Sequence, residues 1–375
     1  MKPKIWLSSP HMSGAEQTYI KEAFDTNWVA PLGPNVNGFE KDLESYLKED
    51  RHVAALASGT SALHLSLILL GVTNGDEVIC QSKTFSASAN PIVYQGATPI
   101  FIDSEAETWN LCPLQLEIAI KDRISKGKKP KAIIAVHLYG MPYKVDEINN
   151  IANKYEIPVI EDSAESLGSH YKGQKCGTFG DLSILSFNGN KIITTSGGGA
   201  LVARNEDHKK QAVFLATQAR DNAPHYQHTH IGYNYRMSNI VAGIGRGQMT
   251  ILDSHVNKRR SNHEMYYNTF KDNDQITFLQ EPDGHFSNRW LSCVLLDSFK
   301  TREGLRLALE KQNIESRPLW KPMHQQPVFK NTPRYLNGVS DELFDRGLCL
   351  PSGSNLSKEE LDRVISAINM YFAVC

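Results

Sequence analysis

The chain has 375 residues, 41% of them hydrophobic and 22% charged, with 40 Lys+Arg against 41 Asp+Glu. That size holds a large core and more than one lobe, in an ordinary globular composition. A formal charge of −1 excludes a global field for nucleic acid or an anionic membrane, and no run approaches the ~18 apolar residues of a membrane span.

The N-terminal MKPKIWLSSPHMSG has too short an apolar stretch for a secretory signal. Six cysteines (Cys80, Cys112, Cys176, Cys293, Cys349, Cys375) lie far apart with no CxxC spacing. They read as reduced thiols of a cytoplasmic protein, not as a metal site or disulfide frame. Helical spacing of apolar residues predicts helices over 14–24 and 36–47. Between them NWVAPLGP (27–34) carries Trp28, Val29 and Leu32 on a backbone made irregular by proline and glycine. Such a loop either packs under the domain or lines a cleft.

An alternating rhythm follows. Strands are predicted over 52–56, 77–80, 98–102, 132–137 and 157–160, with helices over 62–70, 87–94, 114–124 and 145–154 between them. This alternation predicts a mostly parallel sheet covered on both faces, with ligands off the carboxyl ends of its strands. RISKGKKPK (123–131) reads as a solvated connector. A further strand over 182–187 leads into Asn188-Gly189-Asn190-Lys191 and then Gly197-Gly198-Gly199. Beyond residue 248 the pattern changes to one long helix over 239–270, strands over 276–279 and 290–296, and a helix over 302–312. A last helix opens at the capping box Ser357…Glu360. The expected division is a large domain over 1–250, with an N-terminal arm, and a smaller C-terminal α/β domain over 251–375.

The strand ends carry the chemistry. Ser58-Gly59-Thr60-Ser61 sits between a strand and a helix, where free N–H groups and a positive dipole end favour a phosphate. Taken alone, the same residues make a good helix cap. Phe85 is placed to stack on an aromatic ring or to join the core, and His137 at a strand end is equally two-sided. Ser186, five residues before Lys191, can add a hydroxyl to a phosphate. Asp162 ends one strand and Lys191 follows another. A carboxylate for a protonated ring nitrogen and an amine for an imine are what a pyridine aldehyde cofactor needs.

SGTSALHL (58–65), EDSAESLGSHYKGQKCGTFGDLSILSFNGNK (161–191), SGGGALV (196–202) and GYNYRMS (232–238) together resemble the DegT/DnrJ/EryC1/StrS family. The resemblance covers nearly the whole chain. It implies the fold type I, aspartate aminotransferase-like architecture and pyridoxal 5′-phosphate (PLP, with its amine form PMP) as cofactor. By the same resemblance Lys191 matches the Schiff-base lysine and proton shuttle, and Asp162 the partner of the ring nitrogen. Glu165 stands where many members have glutamine against the ring hydroxyl. Gly59, Thr60, Ser61 and Ser186 match the phosphate cradle, and Phe85 the stacking aromatic. Asn234 matches a residue that reaches the phosphate from a second subunit, which implies a homodimer with shared sites.

The N-terminal segment, NWVAPLGP and SRPLWKPMHQQPVF (316–329) look closest to the branch that aminates carbon 4 of UDP-4-keto-6-deoxy-HexNAc sugars with L-glutamate. A UDP-ketosugar then requires local cations, for which Arg236, Arg317, Lys321 and His324 are candidates. Trp28 and Trp320 are candidate walls, and His137 and His324 candidate sugar contacts. A dehydratase on the same fold replaces the lysine with histidine, so Lys191 argues for transamination. The intact Lys191/Asp162 pair argues against a regulator without activity, and no GxGxxG follows the first strands to support a nicotinamide enzyme.

Overall fold

The computed structural model describes residues 3–373. Cys375 lies outside them. Helices α1 (Glu16–Asp25) and α2 (Pro34–Leu47) precede strand β1 (His52–Leu56). The alternation then runs α3 (Gly59–Leu69), β2 (Glu77–Gln81), α4 (Asn90–Tyr94), β3 (Thr98–Ile102), α5 (Pro113–Ser125), β4 (Ala132–Val136), α6 (Val145–Lys154) and β5 (Val159–Asp162). A small hairpin, β6 (His170–Tyr171) and β7 (Gln174–Lys175), leads to β8 (Leu182–Ser186), β9 (Gly199–Ala203) and α7 (Glu206–Ala216). Two helices follow, α8 (Asn239–Met249) and α9 (Leu252–Phe270), then β10 (Ile276–Phe278), β11 (His285–Phe286), β12 (Ser292–Leu296) and α10 (Phe299–Lys311). The chain ends with β13 (Arg317–Pro318), β14 (Arg334–Tyr335), α11 (Val339–Arg346), β15 (Gly347–Leu350) and α12 (Lys358–Phe372).

Eight strands form one sheet in the order β1-β9-β8-β5-β4-β2-β3-β14. From β8 to β14 all neighbours are parallel, while β9 runs antiparallel to both β1 and β8. Successive side chains of a strand face opposite sides, and both sides of this sheet are covered. Val78, Cys80 and Ile134 join a buried cluster with α3, whereas Ile79 and Ile133 join one with α5 and α6. Val53 and Ala55 meet α2 and α8 through Phe39, Leu43 and Ala242. This is the α/β, mostly parallel architecture expected from the alternation.

A second, antiparallel sheet, β10-β12-β15-β13, packs against α9, α10 and α12 around Tyr266, Leu305 and Val364. Its core also takes in Ile5 of the N-terminal arm, which bridges to Ile314. In return β14 leaves this half of the chain and adds an edge strand beside β3. The capping box at Ser357 and Glu360 is present.

The single long helix expected over 239–270 is two helices. Ile251 between them has φ −120° and ψ 6°, and Thr250 and Ile251 N–H close tight bonds to Gly247 and Gln248. The break lets α8 lie flush on its neighbours. A side-chain carbon at Gly245 would meet the Phe39 ring at 2.7 Å, and one at Gly247 would meet the Glu16 backbone N at 2.7 Å.

Candidate active site

The carboxyl ends of β1, β4, β5 and β8 open onto one cavity of about 290 Å³, close to the low end of the range for small-molecule sites. On the β1 side, Ser58 caps α3 by accepting the Ser61 N–H at 3.0 Å. The first N–H groups of α3 have no intrahelical acceptor and are left for an anion. Gly59 permits this start to lie against the end of β8, since a side-chain carbon there would meet Ser186 Cβ at 3.1 Å and Leu185 O at 3.3 Å. Gly59, Thr60 and Ser186 all line the cavity.

Asp162 ends β5 with its carboxylate toward the same space. Ser88 donates its hydroxyl to Oδ2 at 2.7 Å and the Ala164 N–H donates to Oδ1 at 3.1 Å. No ion pair to Asp162 occurs among the described residues, so its charge is held by neutral donors only. Glu161, one residue earlier, points into the other face. There it receives His137 Nε2 (2.7 Å), the hydroxyls of Ser163 and Ser183, and the N–H groups of Gly177, Phe179 and Gly180. Burial pushes Glu161 up, but these hydrogen bonds, led by His137, outweigh it and hold the carboxyl at about 2.

Lys191 hangs from the turn between β8 and β9, its N–H bonded to Asn188 O. Its Nζ lies 3.4 Å from Glu165 Oε1 and 4.3 Å from the centre of a Trp290 ring. Glu165 is buried, and its other oxygen accepts the Tyr139 N–H at 2.6 Å. Burial pushes Glu165 up to about 7, against the opposing pull of Lys191 and Tyr139 N–H. An aromatic wall completes the site. Phe85 and Trp320 are 5.3 Å apart, and Trp320 continues to Tyr139 at 5.4 Å and Trp290 at 6.1 Å. Phe85 remains 54% exposed, so its ring is available to a ligand.

The structure thus brings Gly59, Thr60, Phe85, Asp162, Glu165, Ser186, Lys191 and Trp320 onto one cavity. Ser61 is not on it: its N–H and hydroxyl are both bonded to Ser58, which takes its place. His137 is fully buried behind the sheet, where Nδ1 accepts the Tyr143 N–H and Nε2 serves Glu161, so it faces no sugar. His324 is likewise buried, bonded to Ser82 Oγ at 2.7 Å and Asp341 at 2.9 Å. Arg236 is tied to Glu40 at 2.5 Å and to Ala55 O, away from the cavity. Arg317, paired with Glu315, and Lys321 line a neighbouring cavity of about 740 Å³ that shares Trp320 with the first. Trp28 and Asn234 are exposed and line neither of these two cavities.

Ser88, Tyr139 and Trp290 join the site without having been expected there. Ser58 was legible as the cap before a helix. Trp290 comes from a distant strand-like run, and nothing local marks it.

A family model described as the DegT/DnrJ/EryC1/StrS aminotransferase family matches residues 10–369. EpsN of Bacillus subtilis, whose name places it among pyridoxal phosphate-dependent aminotransferases, is 52% identical over 372 residues, 98% of this chain and 96% of that protein. GDP-perosamine synthase of Escherichia coli O157:H7 is 36% identical over 372 residues, covering 98% and 99%. A sugar aminotransferase of Streptococcus pneumoniae, solved in its PLP form, superposes with a TM-score of 0.91 at 27% identity over 100% of both chains. The cavity fits that cofactor by its donor set: free N–H groups for a phosphate, an unpaired carboxylate for a ring nitrogen and an amine for an aldehyde.

Proposed function

The chain belongs to the DegT/DnrJ/EryC1/StrS aminotransferase family of PLP-dependent sugar aminotransferases, and on that premise we propose that it moves the amino group of L-glutamate to carbon 4 of a UDP-linked 2-acetamido-4-keto-2,6-dideoxyhexose. The observation that carries the reading is the pairing of Asp162 and Lys191 on one cavity beside the free end of α3. Bound PLP supplies an aldehyde for the amine and a ring that accepts electrons. The N–H groups at Gly59 and Thr60, with the hydroxyls of Thr60 and Ser186, hold the phosphate. Asp162 keeps the ring nitrogen protonated, and its neutral partners leave that charge undivided. Phe85 covers the ring.

Lys191 Nζ carries the cofactor and then acts as the base that moves protons at the α-carbon of glutamate and at carbon 4 of the sugar. Trp290 and Glu165 hold Nζ over the cavity. Glu165 serves the ring hydroxyl in place of glutamine. With its carboxyl pushed up to about 7 by burial, it can hold a proton and donate at neutral pH. Trp320 joins the two cavities, so a sugar with its carbonyl at Lys191 can extend its diphosphate toward Arg317 and Lys321. A homodimer completes the site with the second copy's Asn234, and the buried free thiols support a reducing, cytoplasmic setting.

A GDP-linked ketosugar is the second reading, favoured by the relative named GDP-perosamine synthase. NMR of the product decides between them when glutamate is supplied with either UDP-4-keto-6-deoxy-GlcNAc or the GDP-linked 4-keto-6-deoxy counterpart. A 4-amino UDP sugar is expected, and amination of the GDP sugar alone would select the second reading. The purified protein is expected to be yellow, and borohydride to fix the cofactor to the peptide bearing Lys191. Fixation in Lys191→Ala would overturn the lysine assignment.

A further inference from the structure

Arg259, on α9, is a fully buried cation with no carboxylate partner among the described residues. A guanidinium withdrawn from water costs several kcal/mol of solvation and is normally matched by an acid or by a full set of acceptors. Here its acceptors are neutral: Trp290 O at 2.7 Å, Ser8 Oγ at 3.0 Å, and Lys191 O and Ser352 O at 3.4 Å. Nε has no partner among the described residues. Burial pushes the group down to about 10. An arrangement this costly for stability calls for another reason.

The acceptors belong to a closed circuit around the lysine turn. Ser8 donates its hydroxyl to Asn190 O at 2.8 Å, and the Trp290 indole N–H donates to the same oxygen at 2.7 Å. Arg259 donates to Trp290 O and to Ser8 Oγ, so the N-terminal arm, the turn, Trp290 and α9 are joined through one side chain. Lys191 Nζ rests on the ring of that same Trp290 at 4.3 Å.

We propose that Arg259 is a positioning residue for Lys191, fixing the turn that carries the amine and the indole on which it rests. The role rests on reading Lys191 as the cofactor lysine. Its fork spans Trp290 O and Lys191 O, a geometry that a lysine ammonium does not reproduce. The other titratable groups facing Lys191 and Arg259 are Glu165, Asp162, His255 and His11.

The test uses the PLP-loaded protein with Arg259→Gln, Arg259→Lys and Ser8→Ala, and Lys258→Gln as an exposed-charge control on the same helix. The readouts are the absorption spectrum of the bound cofactor and the single-turnover rate at saturating glutamate. Arg259→Gln, which loses the fork to Trp290 O and Lys191 O, is expected to shift the absorption band and to slow the turnover by about tenfold or more through misplacement. Arg259→Lys, which keeps the charge without the fork, is expected to slow it likewise. Ser8→Ala, which removes the arm's bond to Asn190 O and one of Arg259's acceptors but leaves the fork to Trp290 O and Lys191 O, is expected to slow turnover less, and Lys258→Gln to change nothing. Wild-type turnover in either Arg259→Gln or Arg259→Lys overturns the role. If neither variant folds, wild-type turnover in Ser8→Ala overturns the circuit. In every variant borohydride still labels Lys191, and labelling elsewhere would count against the lysine assignment instead.

Discussion

Glu161 and Asp162 are neighbours with different loads, because a strand turns successive side chains to opposite faces. Glu161 is saturated by six donors behind the sheet, while Asp162 keeps two and faces the cavity. Glu165 offers a test at this scale. Its folded-state value, pushed up to about 7, lies above the ordinary carboxylate range, so the folded protein holds a proton that the unfolded chain releases. Stability from this group is complete below the unfolded value and is lost as pH rises through about 7. The shift corresponds to on the order of 3 kcal/mol. Glu165→Gln removes the titration. The cofactor-free variant is therefore expected to gain melting temperature relative to wild type between about pH 5 and about pH 8. Parallel curves for the two proteins would mean that the carboxyl does not titrate in that window.

At the scale of elements, strand ends were legible from apolar runs closed by polar residues, and they place Asp162 and Ser186 where the cavity lies. Other elements left weaker traces. Strand β9 follows a run of glycines and pairs antiparallel, which alternation alone does not suggest. Helix α7 is mostly polar, and its one clear signal is the cap, Asn205 Oδ1 accepting His208 N–H at 2.8 Å. The break between α8 and α9 is set by packing: glycines on α8 admit α1 and α2 at distances no periodicity reveals. That packing predicts an inverted substitution effect. In a helix interior Gly→Ala normally gains about 1 kcal/mol. At Gly247 the added carbon would meet Glu16 backbone, which has no rotamer to yield, so Gly247→Ala is expected to lose about 1–3 kcal/mol. Glu16 also accepts Gln248 Nε2 at 2.6 Å, and Gln248 Oε1 receives the Thr194 N–H just beyond the lysine turn. A urea midpoint shifted upward in the variant would show that α1 and α8 are not in close contact.

Across the whole molecule, residues far apart in the chain meet because β5 and β8 end together and the second sheet leans Trp290 over them. Trp290, Arg259 and Ser88 owe their places to this convergence and carried no local signal. The same scale explains what one chain leaves open. Asn234, Trp28 and Leu32 are exposed, with Ile231 84% and Tyr226 79% exposed nearby in sequence, so a segment rich in apolar side chains stands uncovered. Asn234 bridges Thr217 and does not line the Lys191 cavity of its own chain. If a second copy supplies that side chain, the Lys191 lesion of one chain and the Asn234 lesion of the other fall in the same site of a mixed dimer. Lys191→Ala and Asn234→Ala chains, each inactive alone, would then give one intact site per mixed pair. With random pairing half the dimers are mixed, so co-expression is expected to restore about a quarter of wild-type activity. Were Asn234 to act within its own chain, both sites of the mixed pair would carry a lesion and no activity would return.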